Sequence, residues 1–78
     1  MTRTIHREPP KGVDGYVVFP DPTHPGYTFA AVEMYWRLKP TFPPMPRGPF
    51  SDIRSCVLRA REVAKNSGGD VWVVRQTH

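Results

Sequence analysis

The chain has 78 residues, with 11 Lys and Arg against 7 Asp and Glu, a net charge of +4, 10 prolines and one cysteine. That makes one small domain with a marginal core, and a lone Cys56 excludes an intramolecular disulfide. No run approaches the roughly 18 apolar residues of a membrane span, and residues 1–12, MTRTIHREPPKG, lack the apolar stretch of a signal peptide, so a reducing, cytoplasmic setting is the expectation.

Residues 1–12 are polar, carry Pro9-Pro10 and Gly12, and read as an extended N-terminal arm or a first edge segment. GYVVFP, residues 15–20, is a β-favouring run bounded by Gly and Pro and predicts a strand. PDPTHPG, residues 20–26, is turn chemistry whose prolines oppose regular pairing. Residues 27–39, YTFAAVEMYWRLK, split cleanly by parity. Ala30, Val32, Met34, Trp36 and Leu38 form an apolar set, and Phe29, Ala31, Glu33, Tyr35, Arg37 and Lys39 fall on the other side. That alternation predicts one long strand with a buried face. A helix is the competing reading, because Ala, Glu, Met and Leu are good helix formers.

KPTFPPMPRGPF, residues 39–50, contains five prolines. Polyproline-like geometry extends such a segment at about 3.1 Å per residue, which fits a stiff crossover along a small sheet. Two other readings stand beside it. One is a PxxP ligand centred on residues 43–47, and the other is a protruding partner-binding loop with Phe42 and Met45 as apolar anchors. Next, Ile53, Cys56, Val57, Ala60, Val63 and Ala64 recur at helical spacing behind Ser51-Asp52. Asn66-Ser67-Gly68-Gly69 ends that helix, and VWVVR, residues 71–75, predicts a last strand. The expectation is an α+β fold: a β-β-α-β domain over residues 13–78 with a three-stranded sheet, one helix on one face, and an N-terminal strand as an optional addition. The expected core sets Val18, Val32, Met34, Trp36 and Leu38 against Ile53, Val57, Ala60 and Ala64, with Val71 and Val73 or their neighbours. The pattern does not say whether the last strand is parallel or antiparallel to its neighbour. As an apolar edge, it could pair across a dimer, so both monomer and dimer are compatible with it.

Little of this points to catalysis. Asp21 and His24 share a turn, but no further ligand and no HxxxH or paired-cysteine spacing supports a metal site; His6 and His78 lie near the ends. Cys56 sits on the apolar helix face and reads as a small core hydrophobe, not as a nucleophile with an exposed, electropositive setting. No two carboxylates pair for acid–base work, and no Gly-rich phosphate loop precedes a helix. The expectation is a protein that is no enzyme and binds neither cofactor nor metal.

What remains is surface. Between residues 37 and 65 there are seven cations and two acids. Tyr35, Arg37, Arg47, Arg54, Arg61 and Lys65 are the candidate partner-binding residues. They are expected to combine the outer parity of the long strand with the polar face of the helix. Rings interleaved with cations suit a protein hot spot, and the same set could stack bases and hold phosphates. The first reading is a non-catalytic protein-binding module, the second a small direct nucleic-acid binder.

SDIRSCVLRAREVAKNSGGDVWVV, residues 51–74, resembles the helix-then-strand half of small bacterial β-β-α-β domains. GPFSD, residues 48–52, also looks like half of a SPOR peptidoglycan-binding repeat, whose other half the chain lacks. In size, charged surface and proline-rich loops the chain resembles small phage-encoded inhibitors of the anti-CRISPR kind. That resemblance implies occlusion of a nucleic-acid-handling protein complex in a bacterial host cytoplasm. It lies in style and not in any motif, so it assigns no residue a role.

Overall fold

The computed structural model describes residues 2–21, 25–38 and 50–75. In chain order they form β1 (Thr4–Ile5), β2 (Gly15–Pro20), β3 (Tyr27–Ala31), α1 (Val32–Leu38), α2 (Ile53–Ser67) and β4 (Asp70–Val73). The strands make one sheet in the order β1-β4-β2-β3. β4 is parallel to both neighbours, and β2 and β3 form an antiparallel hairpin. The α+β class therefore holds, but the sheet has four strands instead of three, and a second helix packs on it. β4 is not the expected edge strand: it lies inside the sheet, with β1 paired to its Val71 and Trp72. Most of the expected proline-rich crossover, residues 39–49, lies outside the described residues, as do His24 and His78. At the crossover's end, Phe50 pairs with Tyr27 through two backbone hydrogen bonds of 2.9 and 2.6 Å.

Both faces of the sheet are covered, which explains why β2 and β4 read as continuous apolar runs instead of alternating ones. Under α2 lie Val18, Phe29, Val71 and Val73, packed on Cys56, Ala60 and Ala64. These three helix residues are small, so the helix axis can approach the strands closely. The other face carries Val17, Phe19, Ala30 and Trp72 beneath Val32 and Tyr35 of α1, with Ile5, Val13, Trp36 and Val74 around them. Of the expected core, Val18, Ala60, Ala64, Val71 and Val73 are in the first cluster, Val32 and Trp36 belong to the second, and Met34 is 42% exposed.

The largest correction concerns residues 27–39. Extended structure stops at Ala31 and helix begins at Val32. The cause is the length of the partner strand. Ala31 pairs with Tyr16, one residue from the start of β2, so a longer β3 would carry backbone groups with no strand to bond. The chain coils instead, and satisfies them internally. Val32, Tyr35 and Trp36 then fall at i, i+3 and i+4 and turn inward, while Glu33, Met34 and Arg37 face out. Glu33 in the first turn and Arg37 in the last complement the helix dipole.

α2 follows its local signals. Asp52 is the N-cap and accepts a hydrogen bond from the Ser55 backbone N–H, and Gly68 closes the helix at φ 89° by donating to Ala64 O at 2.6 Å. The N-terminal segment is bound into the fold by distant partners. Arg3 donates from its backbone and its guanidinium to the Asp70 carboxylate, at 3.1 and 3.0 Å, and this holds Asp70 below the usual carboxylate range. The Arg7 guanidinium lies 5.2 Å over the Trp72 ring, and the Lys11 ammonium 5.3 Å over the Trp36 ring.

Candidate docking surface on α2

The residues that bury one side of α2 leave another line exposed. Arg54, Leu58, Arg61 and Lys65 stand at i, i+4, i+7 and i+11, which places them in one row along the helix. Leu58, at the centre of this row, is 59% exposed. Glu62, beside it, is paired with Arg59 at 2.9 Å. Arg54 and Lys65 are exposed and have no carboxylate partner among the described residues. Arg61 is half-buried, and its guanidinium donates to the Thr4 hydroxyl of β1. The row therefore runs beside the N-terminal strand, above a shallow groove of about 680 Å3 lined by Thr2, Leu58, Arg61, Glu62, Lys65 and Gly68 among others.

The six residues picked out from the sequence divide into four groups. Arg54, Arg61 and Lys65 come together on α2. Tyr35 is corrected from an exposed sheet residue to a core residue. It is 2% exposed, its ring lies 5.2 Å from Phe19 and 5.3 Å from Trp36, and its hydroxyl donates to Glu8 at 2.5 Å. The physical reason is the coiling of residues 32–38, which turns Tyr35 onto the sheet. Arg37 is exposed but lies on α1, across the sheet from α2, 3.9 Å from Glu33. Arg47 and Lys39 lie outside the described residues. Phe29, expected on the outer face, is buried under α2. The expected surface of rings and cations on an open sheet face therefore does not form; what forms is a basic row on a helix.

Sequence reasoning missed Leu58. Its signal was present, because it is the one large apolar residue of α2 that breaks the helix's inward pattern. The closeness of Thr2 and Thr4 had no signal, since it depends on β1 reaching β4. A second groove of about 410 Å3, between residues 11–15 and α1, includes Lys11, Glu33, Trp36 and Arg37. There Glu33 lies 3.9 Å from Arg37 and Lys11 stacks over Trp36, and the groove is also lined by Asp14.

Among the described residues no three His, Cys, Asp or Glu side chains gather as metal ligands, and no helix is long and apolar enough to cross a membrane. Burial pushes the Cys56 thiol up to about 12. Its folded value thus lies above the unfolded value of about 8.5. The stability it contributes is fully present below about pH 8.5 and is lost as the pH rises toward 12. We expect iodoacetamide at pH 8 to label the folded chain at least ~100-fold more slowly than the urea-unfolded chain, because only the rare open state reacts. Equal rates would show that α2 does not seal this face. Comparison with protein-family models, curated proteins and solved structures finds no match.

Proposed function

We propose that this protein is a non-catalytic binding module that docks on an acidic surface of a partner protein through the outer face of α2. The observation that carries this reading is Leu58, an exposed apolar side chain set among cations with no carboxylate partner among the described residues. Arginine is enriched in interface hot spots, and burying Leu58 against a partner would remove its apolar side chain from water. A phosphate backbone would match the cations and leave Leu58 uncovered. Base stacking needs exposed rings, and every described aromatic residue is buried or half-buried. Protein is therefore favoured over nucleic acid as the direct contact. The resemblance in style to small phage inhibitors supplies the class of partner: a complex that handles nucleic acid, covered at an acidic patch on its own surface.

The test compares affinity capture by the parent protein and by Leu58→Asp from a nuclease-treated bacterial lysate, identified by mass spectrometry. The expected result is a protein partner retained after nuclease and lost with Leu58→Asp, while the variant stays within about 0.5 kcal/mol of the parent stability, as exposed substitutions usually do. Titration with single- and double-stranded DNA and RNA at about 50 mM salt should give only weak binding. A tight complex with a steep salt dependence, reduced by Arg61→Ala, would replace this reading with direct nucleic-acid binding.

A further inference from the structure

We infer that the occupant of this face is an acidic amphipathic helix of the partner, lying lengthwise along α2; the inference rests on α2 being the docking face. The row from Arg54 to Lys65 is straight and spans about 16 Å at about 1.5 Å per residue, so it matches a straight element three turns long. Arg54 and Arg61 are separated by about 10 Å along the axis, and Arg61 and Lys65 by about 6 Å. A neighbouring helix repeats its facing side chains with the same spacings and can set a carboxylate opposite each cation. An extended strand repeats one face about every 6.7 Å and falls out of step between Arg54 and Arg61.

The floor of the groove fits the same occupant. Leu58 offers an apolar contact at mid-row, and Ala64, Gly68 and Gly69 leave the C-terminal end low. Packed helices approach to about 8–10 Å between axes, which small residues permit. The α2 of a second copy is disfavoured as occupant by charge, since it would set Arg54, Arg61 and Lys65 of one copy against the same cations of the other.

The experiment is selection from a random 20-residue peptide display library against the intact protein, with affinities read by fluorescence anisotropy. Selected peptides should be rich in Asp and Glu around one or two large apolar residues. They should gain helical circular dichroism on binding and weaken at least tenfold against Leu58→Asp and against Arg54→Glu. Proline placed at the centre of a selected peptide should weaken it at least tenfold as well. Peptides that depend on Leu58 but tolerate the central proline would overturn the helical occupant and leave the docking face standing. Peptides that bind both variants as well as the parent would overturn both readings. A library that yields no binder, while the captured partner is Leu58-dependent, would overturn the helical occupant alone.

Discussion

Gly15→Ala and Gly69→Ala are each expected to unfold the domain, or to leave it near its unfolding midpoint without denaturant. Gly15 opens β2 and pairs with Asp70, the first residue of β4. A Cβ on Gly15 would run into the Asp70 carbonyl oxygen and come within 3.0 Å of its nitrogen. A Cβ on Gly69 would lie 2.7 Å from the Gly15 Cα and 2.8 Å from the Asp14 carbonyl carbon and oxygen. All of these neighbours are backbone, so no side chain can swing aside. Both glycines also have positive φ, 135° and 92°, where a side chain adds about 1–2 kcal/mol of strain. Relief would require β2 and β4 to separate at the point where their parallel pairing begins. We expect losses of more than about 3 kcal/mol, against a total of about 4–12 kcal/mol for a domain of this size. Gly12 is the internal control. It has φ 85°, but a methyl group there would meet nothing within 4 Å, so Gly12→Ala should lose only the backbone strain, about 1 kcal/mol. Urea denaturation of the three variants measures the contrast. Gly15→Ala within about 1 kcal/mol of the parent would show that the two strands do not approach so closely.

Removing residues 1–10 should have a comparable effect, and it would also change the protein's association state. The segment supplies β1, the Arg3–Asp70 ion pair and the backbone hydrogen bond from Val71 to Arg3 O at 2.8 Å. It also supplies the buried Pro9, the Glu8 carboxylate that receives the Tyr35 hydroxyl, and the Arg7 guanidinium over Trp72. Trp72, now 6% exposed, would be wetted, and the Tyr35 hydroxyl would lose its part-buried hydrogen bond to Glu8. Such losses add to about 3 kcal/mol or more. β4 would become an apolar edge strand, the kind of surface that pairs with other chains. The shortened chain should show a red-shifted tryptophan emission, a lower urea midpoint and concentration-dependent self-association in sedimentation. Unchanged stability and a monomeric shortened chain would refute this account of the N-terminal segment.

These two expectations mark how far the residues could be read alone. The helix over residues 53–67 was legible because its determinants are local: a repeating apolar face, Asp52 before it and Gly68 after it. β2 and β4 were legible as strands from their β-branched runs. Residues 27–39 were not, because over so short a window Val32, Met34, Trp36 and Leu38 satisfy a period of two while Val32, Tyr35 and Trp36 satisfy the helical one. The polar segment 1–12 gave no sign that Thr4 would pair with Val71 at the far end of the chain. The candidate site divided along the same line, since Arg54, Arg61 and Lys65 share a helix whose faces periodicity defines, and Tyr35 depended on the misread segment.

By itself, then, the amino-acid order determined the α+β class, the caps and buried face of α2, and the alignment of its basic row. These depend on residues within a turn or two of one another, whose spacing alone sets which side they share. Only the tertiary structure decided that β4 lies inside the sheet between β1 and β2, that extended structure ends at Ala31, and that Tyr35 is buried. Each of these depends on a strand finding or lacking a hydrogen-bonding partner far away in the chain, and the requirement that buried backbone groups be paired is met only in the assembled sheet.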